Sequence, residues 1–134
     1  MIIGSGRIPL QMIKRIDNDI SINSLSQNNV IQSILPKNTT SNIHICGLMS
    51  CGGVHSDISH AIYLSKVCAM NNTNVYIHIF TDGRDCGIKD FLKYELPKIQ
   101  TLVKNYVNIQ IGSISGRYYA MDRDMKLDRS IMAY

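Results

Sequence analysis

Polar and charged residues follow three short apolar segments of this sequence, which cover residues 43–48, 75–80 and 109–114. The residues at the three exits that are capable of binding or proton transfer are His55, then Arg84 and Asp85, then Arg117 and Arg123. Ligands of open parallel sheets bind outside the carboxyl ends of the strands. If the three segments are parallel strands, these five side chains converge on one site.

Arginine suits such a site to an anion. A guanidinium group binds a carboxylate or a phosphate through two parallel hydrogen bonds. Arg117 and Arg123 lie in one glycine-led loop, where both can reach a single small anion. The alternative is a charged loop in which these arginines pair with Asp122 and Asp124.

The other two clusters also allow two interpretations. The pair Gly52-Gly53 before His55 permits close approach of a ligand to the backbone, but a histidine in such a loop can equally be a surface residue. Arg84 and Asp85 either bind a ligand or form an ion pair that closes their own loop. Taken together, the clusters indicate a small, anionic, hydroxylated ligand.

The sequence contains no obvious nucleophile beside a general base and no cluster of histidines and carboxylates with metal-ligand spacing. Its cysteines are Cys46, Cys51, Cys68 and Cys86. None of them forms a C-x-x-C pair, so we expect reduced thiols rather than zinc ligands. The chain therefore resembles a binding unit whose reactive partner lies elsewhere.

The elements that must position these residues follow from hydrophobic periodicity. Helices are predicted at about 9–20, from Asn28 or Asn29 to Leu35, at 58–69, at 90–106 with a kink at Pro97, and from Arg129 onward. Strands are predicted at 43–48, at 75–80 and within 107–114. This order predicts an α/β fold with a largely parallel sheet and helices on both faces.

Composition limits the classes of protein. The 134 residues are 45% hydrophobic and 18% charged, which fits one globular domain or part of one. The net charge of +4 is too small to indicate nucleic-acid binding. No apolar run is long enough for a membrane span, and the N-terminus lacks the pattern of a signal peptide. We therefore expect a cytoplasmic protein without a membrane or nucleic-acid partner.

Three motifs occur in a fixed order, namely residues 47–56 (GLMSCGGVHS), residues 82–85 (DGRD) and residues 115–124 (SGRYYAMDRD). They closely resemble motifs of the cofactor-independent (2,3-bisphosphoglycerate-independent) phosphoglycerate mutases, and the third is highly specific. Residues 3–7 (IGSGR) and 128–134 extend the resemblance to essentially the whole chain.

The resemblance implies a function. Those mutases are two-domain α/β enzymes, in which one domain, related to alkaline phosphatase, holds two divalent cations, usually manganese, and a nucleophilic serine. An inserted domain binds the glycerate part of 3-phosphoglycerate, which gives up its phosphoryl group to the serine and receives it back on the other hydroxyl. By resemblance, residues 1–134 are part of the inserted domain. The substrate-binding residues are then His55, Arg84, Asp85, Arg117 and Arg123.

The resemblance also implies what this chain does not supply. In the family, the nucleophilic serine and a metal-binding aspartate precede the segment that corresponds to residues 3–7, and the other metal ligands follow the counterpart of Tyr134. We therefore expect neither a catalytic residue nor a metal ligand here, no mutase activity from this chain alone, and a monomeric complete enzyme. The alternatives are a non-catalytic phosphometabolite-binding remnant of a truncated mutase and another metal-dependent phosphotransferase of the same superfamily.

Overall fold

The computed structural model of this chain describes residues 11–35 and 41–134. The glycine-rich opening and the predicted connection after the second helix, residues 36–40, lie outside these ranges. Within them, no helix has the length and apolar character needed to cross a membrane.

The described elements follow the predicted order. The strands are β1 (Asn42–Met49), β2 (Asn74–Thr81) and β3 (Ile109–Gly116). The helices are α1 (Met12–Ser21), α2 (Asn29–Ile34), α3 (Ile58–Met70), α4 (Leu96–Asn105), α5 (Arg117–Ala120) and α6 (Leu127–Ala133). A 3₁₀ turn covers Leu25–Gln27, and a π-helical turn covers Phe91–Glu95.

The sheet has the order β1-β2-β3, and both pairings are parallel. The prediction of an α/β fold with a parallel sheet is therefore confirmed. The two crossover segments contain α3, which starts after a polar loop, and α4, which follows the π-helical turn. The Asp57 carboxylate caps the amino end of α3 by accepting a hydrogen bond from the Ser59 N–H at 2.8 Å.

The core lies on one face of this sheet. Val75, Ile77 and Ile79 alternate along β2 and are almost completely buried in a cluster that includes Ile99 and Leu102 of α4. Residues of α3 join the same cluster. Successive crossovers of one hand in this strand order place both helices on the same side. The crossover helices therefore supply only one of the two predicted helical layers.

The opposite face of the sheet carries a chain of polar side chains. His44 Nδ1 and His78 Nε2 lie 2.8 Å apart, and His78 Nδ1 lies 2.8 Å from Ser113 Oγ. The register of β2 with β3 skips Gly112 beside His78, which forms a β-bulge. A Cβ atom at Gly112 would lie 2.8 Å from His78 Cε1. Glycine at this position leaves room for the histidine ring.

The segment before α4 differs from the predicted kinked helix. Pro97 lies in the first turn of α4 instead of inside a helix that starts at residue 90. Proline donates no hydrogen bond, and its ring would clash with the carbonyl four residues earlier, that of Lys93. The turn that contains Lys93 is accordingly the wider π-helical turn, Phe91–Glu95.

Two further boundaries near the carboxyl end were not predicted. Residues predicted as a loop after β3 form the four-residue helix α5, which begins at Arg117 itself. The last helix, α6, begins at Leu127 rather than Arg129. Both elements carry residues of the candidate site.

Candidate functional site

A cleft of about 490 Å³ lies where the strands end. It is lined by residues from the loops after all three strands and by residues of α5 and α6: His55, Asp82, Gly83, Arg84, Gly116, Arg117, Tyr118, Met121, Asp122, Arg123, Asp124 and Arg129. The three strand exits therefore meet, as the parallel topology requires. Of the five predicted site residues, four line the cleft, and Asp85 lies directly behind it.

Asp82 organises the loop after β2. Its Oδ1 atom accepts hydrogen bonds from the backbone N–H groups of Gly83, Arg84 and Asp85, at 2.8, 2.9 and 3.1 Å. Its Oδ2 atom accepts one from the Ser50 hydroxyl at 2.6 Å. Burial alone would raise the pKa of Asp82, but these hydrogen bonds and that from Arg117 outweigh it and hold the pKa well below its usual range. Asp82 is thus a fixed anion.

Arg117 joins the loops after β2 and β3. Its Nη1 atom donates to Asp82 Oδ1 at 2.9 Å and to Asp85 Oδ2 at 2.6 Å. The hydrogen bond to Asp85, followed by that to Asp82, raises the pKa of the guanidinium. Among the described residues, Nε and Nη2 make no hydrogen bond. Arg117 is therefore held in place by one nitrogen and retains donors for a ligand.

Arg84 and Arg123 differ from Arg117 in their surroundings. Both line the cleft and are exposed, and neither side chain forms an ion pair with any residue that the structure describes. The alternative in which Arg123 pairs within its own loop is not what the structure contains. Their guanidinium groups are therefore open to a ligand in the cleft.

His55, which lines the cleft, faces Asp85 behind it. His55 Nε2 lies 3.8 Å from Asp85 Oδ2, which is beyond direct hydrogen-bonding distance. The His55 side chain is 44% exposed, whereas that of Asp85 is 15% exposed and bound to Arg117. His55 is thus available to a ligand, and Asp85 braces the loops. The alternative in which Asp85 pairs with its neighbour Arg84 is not found, because Asp85 pairs with Arg117.

The loops after β1 and β2 touch at Gly52. A Cβ atom there would lie 3.1 Å from the Cβ and the carbonyl oxygen of Asp85 and 3.2 Å from Ser50 Oγ. The sequence suggested that this glycine allows a ligand to approach, but it is the neighbouring loop that comes close. The same packing aligns Ser50 with Asp82.

Arg129 and Asp122 support the third loop, a role that was not predicted from the sequence. The Arg129 guanidinium lies 3.2 Å from Asp122 and 3.4 Å from Asp124, and 4.3 Å above the ring of Tyr118. Asp122 accepts the Lys126 N–H at 2.8 Å, and chiefly for this reason the pKa of Asp122 is lowered. The alternation of aspartate and arginine in residues 122–129 could have indicated these ion pairs. The contact also requires α6, which places Arg129 beside Asp122.

The carboxylates of this cleft do not fit a pair of hard divalent cations. Such cations need carboxylate oxygens that are free to coordinate. Asp82 has both oxygens in hydrogen bonds, and Asp85, Asp122 and Asp124 are paired with arginines. The aspartates pair with Arg117 and Arg129 instead. Arg84 and Arg123 form no ion pair among the described residues and can contact a ligand. Its geometry suits a small anion with hydroxyl groups.

The fold and this cleft define an α/β domain with an arginine-lined cleft at the ends of its strands. The family model described as "BPG-independent PGAM N-terminus" matches residues 16–134. The chain is 40% identical over 134 residues to the 2,3-bisphosphoglycerate-independent phosphoglycerate mutase of Helicobacter hepaticus and 41% identical to that of Helicobacter pylori. Both alignments cover 100% of this chain and 26% of the relative.

This chain belongs to the 2,3-bisphosphoglycerate-independent phosphoglycerate mutase family, which confirms the resemblance found in its motifs. It spans about a quarter of the length of the curated relatives it matches. A crystal structure of Leishmania mexicana phosphoglycerate mutase at low cobalt concentration superimposes with a TM-score of 0.70 at 24% identity. That match covers 88% of this chain and 23% of the Leishmania chain, and it supports the fold.

Proposed function

We propose that this chain forms part of the substrate-binding domain of a mutase that interconverts 3-phosphoglycerate and 2-phosphoglycerate. The observation that carries the proposal is the cleft at the strand ends, in which Arg84 and Arg123 have no ion-pair partner within residues 11–35 and 41–134 and lie beside the anchored Arg117. A phosphoglycerate carries a phosphate and a carboxylate, which are the two groups that guanidinium forks bind best. The family to which the chain belongs supports the same substrate.

Each side chain has a role in this proposal. Arg123 and Arg84 bind the anionic groups, and the Nε and Nη2 atoms of Arg117 add fixed donors. His55 is placed to hydrogen bond to a glycerate hydroxyl or to move its proton. Asp85 fixes the position of Arg117 through its Oδ2 atom. Its Oδ1 atom accepts a hydrogen bond from a glycerate hydroxyl.

The proposal assigns the reactive groups to other parts of the mutase. The nucleophilic serine and two divalent cations, manganese in the usual case, would come from a metal-binding domain and not from the carboxylates described above. When bound there, the cations stabilise the charge on the phosphoryl group in transfer. We further expect the complete enzyme to be a cytoplasmic monomer.

A chimeric enzyme tests this function. Residues 1–134 would replace the matching segment of the Helicobacter hepaticus mutase, and conversion of 3- to 2-phosphoglycerate would be assayed with manganese. We expect the chimera to be active, since the chain belongs to the same family and is 40% identical to the segment it replaces. A folded chimera without activity would contradict the proposal and would favour the non-catalytic remnant.

Direct binding provides a second measurement. In the 134-residue chain, addition of 3-phosphoglycerate should shift the side-chain NMR signals of Arg117 and Arg123. Glycerol, which lacks the anionic groups, serves as the matched control. Equal shifts with glycerol would show that the cleft does not recognise an anion.

A further inference from the structure

A second cluster of reactive side chains lies beside the cleft and has no part in the function proposed above. Ligand atoms of Cys51, Cys86 and Glu95 all lie within 4.8 Å of one another. The two sulfur atoms are 3.4 Å apart. The three residues come from the loop after β1, the loop after β2 and the π-helical turn, so the cluster exists only in the folded chain.

Glu95 is the unusual member. Glu95 is only 1% exposed, and neither of its carboxylate oxygens has a hydrogen-bond partner among the described residues. Burying a carboxylate without partners is strongly unfavourable unless a cation or a proton lies against it. The Cys51 thiol is a neighbour, but it makes no regular hydrogen bond to the carboxylate.

The π-helical turn explains why Glu95 points inward. Its neighbours Leu92 and Tyr94 are exposed, at 66% and 47%, whereas Phe91 and Glu95 are buried. Turns of this kind are rare and frequently occur at functional sites. Here the turn places a charged side chain against two thiols, where an apolar residue would have packed at no electrostatic cost.

We propose that Cys51, Cys86 and Glu95 bind a thiophilic divalent cation, with zinc as the preferred ion and water as the fourth ligand. Two thiolates and a carboxylate are ligands that zinc uses in tetrahedral sites. The cation would supply the partner that Glu95 lacks. Cys51 is exposed and Cys86 is partly exposed, which leaves a path for the ion to enter.

The sulfur separation fits a metal better than a disulfide. Two thiolates on one zinc ion at about 2.3 Å lie roughly 3.8 Å apart, so the present 3.4 Å needs only a small expansion. A disulfide requires about 2.05 Å, which demands a larger movement in the opposite direction. The side-chain positions therefore favour a shared cation.

The site is also connected to the cleft. Cys86 Sγ lies 3.1 Å from Ser50 Oγ, and the same hydroxyl donates to Asp82. A cation held by Cys86 would thus fix the residue that orients Asp82. The three ligands are scattered along the chain and form no motif, which is why the sequence predicted reduced thiols here.

Metal titration of the 134-residue chain in reducing buffer tests the proposal. Cobalt(II), used as the probe, should bind with 1:1 stoichiometry and produce thiolate-to-metal charge-transfer absorption, which zinc should abolish by displacement. C51S and C86S should each weaken zinc binding by at least about 100-fold, more than the loss of an outer partner does. C46S is the matched control, since Cys46 is an exposed thiol outside the cluster, and it should bind as the parent does.

E95Q separates a ligand from a merely buried acid. The amide is similar in size and removes the buried charge, so the apo variant should be at least as thermally stable as the parent. Its zinc-induced increase in Tm should nevertheless be lost. An E95Q protein that keeps the full zinc-induced shift would show that Glu95 is not a ligand.

Three results would overturn the proposal. The first is absence of the cobalt absorption in the reduced parent chain. The second is an equal loss of binding in C46S or in H78Q, which would assign the metal to other thiols or to the pair His44 and His78. The third is a Cys51–Cys86 disulfide in air together with no metal binding after reduction. Cadmium-113 NMR of the parent chain detects sulfur ligation without any substitution, so the test does not depend on folding of the variants.

Discussion

Arg117 and Arg123 are both arginines of the cleft, but their surroundings differ. Arg117 is fixed by Asp82 and Asp85, whereas Arg123 is exposed and unpaired among the described residues. A guanidinium that is held by the protein contributes to stability as well as to binding. One that is open to the cleft should contribute to binding alone.

The same substitution should therefore have different effects at the two positions. In the chimeric mutase, R123K should lower kcat/KM by about 10- to 150-fold, because lysine keeps the charge and loses the fork. Its Tm should not change. R117K should lower kcat/KM and also reduce the free energy of unfolding by about 1.5–3 kcal/mol. Steady-state kinetics and thermal unfolding measure both effects, and an R123K enzyme with unchanged kcat/KM would refute the assignment of Arg123.

Asp82 makes stability depend on pH in a defined direction. Its pKa is lowered in the folded chain, so its stabilising effect is complete above the unfolded pKa of about 3.9 and is lost as the pH falls toward the folded value. The free energy of unfolding of the parent chain should therefore decrease steeply below about pH 4. D82N should be less stable at pH 7 and should show a shallower decrease.

Urea unfolding between pH 7 and pH 2.5 measures this effect. D128N provides the control, because Asp128 is an exposed aspartate in α6 and should retain the parent slope. If D82N and the parent lose stability in parallel as the pH falls, Asp82 is not the responsible carboxylate.

At the scale of elements, sequence patterns predicted the strands and the crossover helices well. Residues 75–80 are mostly apolar, and β2 extends this segment by only one residue at each end. The π-helical turn and the β-bulge were not predicted. The turn adjusts the backbone to Pro97, and the bulge depends on the contact of Gly112 with His78, which is distant in sequence.

The β-bulge leads to a prediction about β3. G112A should destabilise the chain by about 1–3 kcal/mol, because the added Cβ would lie 2.8 Å from the ring of His78. It should also break the hydrogen bond between His44 and His78, which the ring-nitrogen NMR signals report. G47A is the matched control, since a Cβ at Gly47 in β1 would meet nothing within 4 Å. Equal stability of the two variants would exclude a steric role for Gly112.

At the scale of the whole molecule, the parallel topology predicted where the site lies, because strand ends meet at one edge. The sequence could not predict how the charges pair. Arg84 and Asp85 are neighbours in the chain, yet Asp85 binds Arg117, which is 32 residues away. Asp82 was overlooked as the organiser of the loop, although an aspartate before glycine is a common turn signal. Pairing depends on the distances between loops, which only the folded chain defines.

The 134-residue chain by itself should not convert 3-phosphoglycerate to 2-phosphoglycerate. In the part of the chain that the structure describes, the cleft lining has no serine or cysteine that could accept the phosphoryl group. The assay is conversion by the purified chain with added manganese, compared with a mock purification and with the chimeric enzyme. Metal-dependent turnover by the chain alone would show that the reactive groups have been assigned to the wrong part of the mutase.

The parallel sheet described above also affects how this chain folds during synthesis. Asn42 and Asn74 on β1 and β2 are 32 residues apart in sequence, and His78 and Ser113 on β2 and β3 are 35 apart. Neither pairing can start from a tight hairpin, and sheets with such distant partners fold slowly for their size. On the ribosome, β2 can pair with β1 well before β3 has been translated. Until β3 has been translated, the second edge of β2 is open. We therefore expect a chaperone to bind the nascent chain chiefly during this interval.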